Sequence, residues 1–148
     1  YIFKPLKFKN RREMAKYYKL IRDVKKVLPI SKEINRAIIE TYEYLQTIPT
    51  EKGRQKHLKA VEKGLKEQYT PRMKKLSFSQ GKLLIKLVDR QTHSTSYELV
   101  KAFMGPFKAG FYQTFAALFG ASLKKQYDPT GDDALTERVI LMVESGQL

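Results

Sequence analysis

Apolar side chains return every three or four residues along the first third of this chain, and that period restricts the fold more than any other feature. From Arg11 the positions Met14, Tyr17, Tyr18, Ile21, Val24 and Leu28 form one stripe of an amphipathic helix, which ends before Pro29 because proline disfavours helical conformation in the residue before it. Ser31 then caps a second helix with the stripe Ile34, Ala37, Ile38, Thr41, Tyr42 and Leu45, stopped at Pro49. Two such helices joined by a short proline turn make an antiparallel pair. Thr50 caps a third helix from Glu51 to about Tyr69, with Leu58, Val61 and Leu65 as a thin seam and Pro71 as its end. Gly53 and Gly64 each weaken it by about 1 kcal/mol relative to alanine.

The second half continues the pattern. Ser77 to Gln80 has the spacing of a capping box in front of Leu83, Leu84, Ile85, Leu87 and Val88, a run apolar on most sides that reads as a buried helix. Thr95 to Glu98 is a second box, opening a short helix through Met104 that Gly105-Pro106 ends. Phe107, Phe111, Phe115, Leu118 and Phe119 then share one face of a helix over about residues 106–123, the expected centre of the molecule. Tyr127 to Asp133 reads as a turn with an acidic helix start, before a last helix carrying Leu135, Val139, Met142 and Val143. The expected fold is all-α: a single domain of six or seven helices around the aromatic helix, preceded by an extended arm at residues 1–10 with Asn10 as the first cap.

Charge divides the chain. Residues 1–75 hold 21 Lys and Arg against eight Asp and Glu, net +13, whereas residues 76–148 hold eight against seven, net +1. Basic helices in 11–75 and near-neutral, core-forming helices in 76–148 follow. Arg11, Arg12, Lys16, Lys19, Arg22 and Lys26 fall mostly off the apolar stripe, as does Lys25, and make a cationic face. Such a face is a solvated surface, a contact for an anionic envelope component or partner protein, or a phosphate-neutralising surface for nucleic acid. Lysine outnumbers arginine and the tyrosines lie on the expected core stripe, so nucleic acid is the weakest of these readings.

The inventory excludes much chemistry. Without cysteine there is no disulfide, zinc-thiolate or iron–sulfur site, and His57 and His93 stand apart with no second histidine at ligand spacing. No glycine-rich phosphate cradle or nucleophile elbow occurs, and no cofactor is called for. The longest uncharged run, Ala109 to Leu123, has 15 residues, short of the roughly 20 that span a bilayer. With Tyr1 in place of Met, the chain reads as a trimmed or processed product.

One polar cluster invites a chemical reading. Asp89-Arg90 closes the apolar helix where Thr92, Ser94, Thr95 and Ser96 make a turn, and Tyr97, Glu98 and Lys101 open the next. Asp89 and Glu98 are the catalytic candidates, one carboxyl kept neutral by burial and the other ionised. The plainer reading pairs Asp89 with Arg90 or Lys101 at a helix corner and leaves Glu98 as the partner of Thr95. Gln113, set among aromatic residues, is expected to be buried and to tie the bundle to this turn or to line a pocket together with Arg90, Tyr97 and Lys101. The acids Asp128, Asp132 and Asp133 lack calcium-loop spacing and suit a helix start.

The blocks Ser79 to Arg90, Thr95 to Lys101, Phe111 to Phe115, Phe119-Gly120 and Tyr127-Asp-Pro129, with Pro49 to Lys52 and the lysine-rich helix before them, resemble a domain-of-unknown-function family of small exported Bacteroidetes proteins. The resemblance covers essentially the whole chain and departs from the family at His93-Ser94, where relatives carry a glycine-containing turn. It implies a signal sequence and a periplasmic or envelope location, and it brings no catalytic residue.

Overall fold

The computed structural model describes residues 3–94, 113 and 127–148. Four helices occur among the described residues, with no strand: α1 (Arg11–Leu45), α2 (Glu51–Lys74), α3 (Phe78–Ser94) and α4 (Ala134–Glu144). The all-α expectation holds for these residues. The Thr95 capping box, the helix through Met104 and the aromatic helix at 106–123 lie outside them.

The expected antiparallel pair over 11–48 is instead one helix. α1 runs through Pro29, and Ser31 is not a cap but a buried interior residue whose hydroxyl donates to Leu28 O at 2.8 Å. The two stripes are a single one in unbroken phase: Ile21, Val24, Val27, Leu28, Ser31, Ile34, Ile38, Thr41 and Leu45 are all buried. Pro29 lies on the exposed side, so its missing N–H removes a helix donor where water can compensate for the loss. A proline inside a helix costs about 3 kcal/mol. Turning the chain there would unseat Ile30, Ile34 and Ile38, each stabilising by roughly 1.5–3 kcal/mol when buried. Continuity wins.

α2 repeats the lesson. It does not end at Pro71 but continues to Lys74, because Leu65, Tyr69, Met73 and then Leu76 keep the buried phase while Pro71 faces solvent. Thr50 caps it as expected, accepting from Gly53 N at 3.1 Å, and Arg54 Nε donates to Ile48 O to fasten the turn from α1. The Ser77 box is also present: Ser77 N donates to Gln80 Oε1 at 3.1 Å and Gln80 N to Ser77 Oγ at 3.2 Å. α3 buries Leu83, Leu84, Ile85, Leu87 and Val88, and it continues helically through Thr92 to Ser94, where a polar turn was expected.

α1 is the spine, packing against α2, α3 and α4. It supplies seven residues of one apolar cluster, Ile21 to Ile38, joined by Leu65, Tyr69 and Met73 of α2, the α3 run, and Val139 and Ile140 of α4. Leu135, expected inside, is 41% exposed. From Phe3 to Asn10 the arm is irregular and held at both ends. Arg138 Nη2 donates to Lys4 O at 2.7 Å with its guanidinium over the Phe3 ring, Phe8 meets Tyr17, and Asn10 caps α1 by accepting from Glu13 N.

Candidate functional site

Two polar regions emerge from this framework, one on the outside of α1 and one buried behind α3. Arg11, Arg12, Lys16, Lys19, Arg22 and Lys26 are all exposed, as is Lys25. Arg12, Lys19 and Lys26 are seven apart, which returns each to nearly the same azimuth in steps of about 10 Å along the axis. Only Glu13 and Asp23 are acidic in this stretch, and Asp23 is buried, accepting from Gln80 Nε2 at 3.1 Å. The tyrosine expectation needs correction here. Tyr17 packs partly buried on the core, but Tyr18 is 56% exposed and Met14 41%, because those positions rotate off the stripe toward the cations.

The cationic side of α1 continues into a groove. Lys16, Lys19, Leu20 and Asp23 of α1, Ser79, Lys82, Leu83 and Lys86 of α3 and Thr136 of α4 enclose about 250 Å³. Lys19 Nζ donates to Ser79 Oγ at 3.2 Å, and Lys86 is paired with Asp133 at the start of α4. Lys82 and Lys86 are one turn apart, the only sign in the sequence that they share a face. Nothing in the sequence places that face beside Lys16 and Lys19, since the chain separation exceeds 60 residues.

Behind α3, Asp89 is 1% exposed and its Oδ2 accepts the backbone N–H of Tyr127. The expected pairing of Asp89 with Arg90 is not formed. Arg90 turns instead to Glu137 on α4 in a two-pronged contact, Nε at 2.7 Å and Nη2 at 3.1 Å, and Tyr127 OH donates to the same carboxylate at 2.9 Å. Burial pushes the Tyr127 phenol strongly upward, and its hydrogen bond to Glu137 adds to the shift. Burial raises the Glu137 carboxyl, but the hydrogen bonds from Arg90 and Tyr127 outweigh it and leave Glu137 below the usual carboxylate range. Asp128 and Asp133 close the adjoining turn: Asp133 Oδ2 accepts from Asp128 N, and Asp128 Oδ1 accepts from Gly131 N. This network fixes the chain entering α4 to α3. Glu98, Tyr97 and Lys101 lie outside the described residues. Gln113 is helical and exposed, not buried as expected, so its amide is free to be solvated. Sequence reading missed Glu137 and Tyr127, whose roles depend on a contact between α3 and α4.

Among the described residues no group of three His, Cys, Asp or Glu could hold a metal ion, and no helix is long and apolar enough to cross a membrane. These features define an all-helical domain with a strongly cationic long helix and an internally compensated polar network. The chain belongs to the family described as Domain of unknown function (DUF4294), whose model matches residues 1–142. Neither the curated proteins nor the solved structures contain a match to it.

Proposed function

We propose that this domain binds an anionic envelope surface, phospholipid headgroups or lipopolysaccharide, through the outer face of α1, as an exported, non-enzymatic binding or scaffold module. The observation that carries this reading is the row Arg11, Arg12, Lys16, Lys19, Arg22, Lys25 and Lys26, all exposed, with its one buried acid already engaged by Gln80. Each lysine or arginine near an anionic membrane surface contributes about 1 kcal/mol, so such a row gives useful affinity at low salt. Exposed Met14 and Tyr18 beside it add apolar contact of the kind that beds a helix into the headgroup layer. The envelope location in this reading rests on the resemblance to exported proteins. Asp89 is buried and bonded to a backbone amide, which favours a structural part for that carboxylate over a catalytic one.

Co-sedimentation with vesicles tests the proposal. Binding to phosphatidylglycerol-containing vesicles should exceed binding to phosphatidylcholine alone and fall steeply as salt shortens the roughly 10 Å screening length. Combined Arg12→Gln, Arg22→Gln and Lys26→Gln changes should lower it at least tenfold with helicity unchanged. Equal binding to both vesicle types would overturn it, and salt-sensitive binding to duplex DNA without vesicle binding would put nucleic acid in its place.

A further inference from the structure

We propose that the groove between α1, the start of α3 and α4 is a phosphate-binding pocket, selective for a dianionic phosphate monoester over a singly charged phosphodiester. As the docking point of the α1 face it rests on the surface-binding reading above. Its lining carries four lysines, Lys16, Lys19, Lys82 and Lys86, from two helices. Lys86 is matched by Asp133, and Asp23 sets one negative charge against the other three, so the groove retains a formal charge of +2. That is the complement of a phosphate monoester above its second ionisation, near pH 6.

Shape and donors agree with charge. About 250 Å³ admits a phosphate with part of its carrier, and Lys16 and Lys19 belong both to the lining and to the cationic row of α1. Ser79 and Thr136 bring hydroxyls to the lining. Ser79 is also the second residue of α3, where helix amides point outward and favour an anion. Lys19 already donates to Ser79 Oγ at 3.2 Å, which holds its ammonium over the groove. Neither Lys16 nor Lys82 is in an ion pair among the described residues. Asp23 is tied back by Gln80 Nε2 at 3.1 Å, and Gln80 is itself held by the Ser77 box, so the one carboxylate in the lining is kept from swinging across it. Ammonium groups on flexible stems suit a compact oxyanion approached from several sides.

The test uses the full 148-residue chain and two probes. Inorganic phosphate, titrated at constant ionic strength with chloride as the control, should shift the amide resonances of Ser79 and Thr136 saturably. Lys82→Gln and Lys19→Gln should each weaken that binding at least fivefold, while Lys66→Gln on the exposed side of α2 leaves it within twofold. Vesicles of phosphatidic acid, a monoester, should bind better than phosphatidylglycerol, a diester, at matched surface potential, and Lys82→Gln should erase the preference. Saturable phosphate binding without the vesicle preference supports the pocket and assigns its ligand to a soluble phosphate compound. Non-saturable shifts reproduced by chloride, or indifference to Lys82→Gln, overturn it. The two readings separate cleanly: phosphatidylglycerol binding without a phosphate titration removes the pocket alone, and a phosphate titration without any vesicle binding removes the surface reading alone.

Discussion

Gly53 and Gly64 both lie in α2 and cost the helix the same backbone entropy, yet their surroundings differ. A Cβ on Gly64 would meet nothing within 4 Å, whereas one on Gly53 would fall 2.8 Å from Thr50 Oγ1 and 2.9 Å from Ile48 Cγ2. Gly64→Ala should therefore raise the unfolding free energy by about 0.5–1 kcal/mol. Gly53→Ala should gain nothing or lose stability, because it displaces a cap hydroxyl worth about 1 kcal/mol. Urea unfolding of the two variants checks the contrast. Gly131 resembles Gly53, since a Cβ there would fall 2.1 Å from Asp128 Oδ2 in the turn before α4. Gly146 has a different reason: at φ +79° it ends α4 in the left-handed region, with Gln147 N donating to Met142 O and Gly146 N to Val143 O.

At the scale of elements, the local proline rule fails at Pro29 and Pro71 because it competes with a longer-range one. Pro29 disfavours helix in its own neighbourhood, but whether the chain turns depends on what both flanking segments pack against, and α3 meets α1 on both sides of it, at Lys19 and Asp23 before and at Asn35 after. The phase that decided it was visible: Leu28 and Ser31 continue the stripe of Val24 without a slip into Ile34. Pro29→Ala restores a donor to Lys25 O and should stabilise the protein, by up to about 3 kcal/mol, with helicity by circular dichroism rising or unchanged. A loss of stability would mean that the proline ring itself contributes to the packing. Caps were more legible, since Asn10, Thr50 and Ser77 act within four residues and owe nothing to tertiary context.

At the scale of the whole molecule, the links that matter are few and long in sequence. Arg72 meets Glu33 at 2.6 Å across α1 and α2, and its hydrogen bond lowers the Glu33 carboxyl, but both side chains are open to water and such pairs contribute little. The Arg90–Glu137–Tyr127 group is better protected and sets two limits on pH stability. Glu137 is lowered in the fold, so its contribution is complete above the unfolded value of 4.5 and is lost as pH falls through the folded one. Tyr127 is raised, so its contribution is complete below the unfolded value of 10.0 and is lost as pH climbs above it. Unfolding midpoints measured from pH 3 to 11 should fall at both ends. The difference between wild type and Glu137→Gln should shrink below pH 4.5, and that between wild type and Tyr127→Phe should shrink above pH 10. Subtracting a variant in this way removes the self-repulsion of a chain with a formal charge of +14.

The helices' apolar stripes, their local caps and the cationic side of α1 are legible in the residues alone, because each depends on residues within a turn or two and on a fixed period of 3.6. So is the chemistry that is unavailable, since a chain without cysteine cannot make thiolate sites. Long-range packing was needed to carry α1 through Pro29 without a break, to join Arg90 to Glu137 and not to Asp89, and to set Lys16 and Lys19 facing Lys82 and Lys86 across one groove. Those outcomes join segments about 45 to 70 residues apart in the chain, and they follow from how burial is shared among helices, a quantity no local window of residues contains.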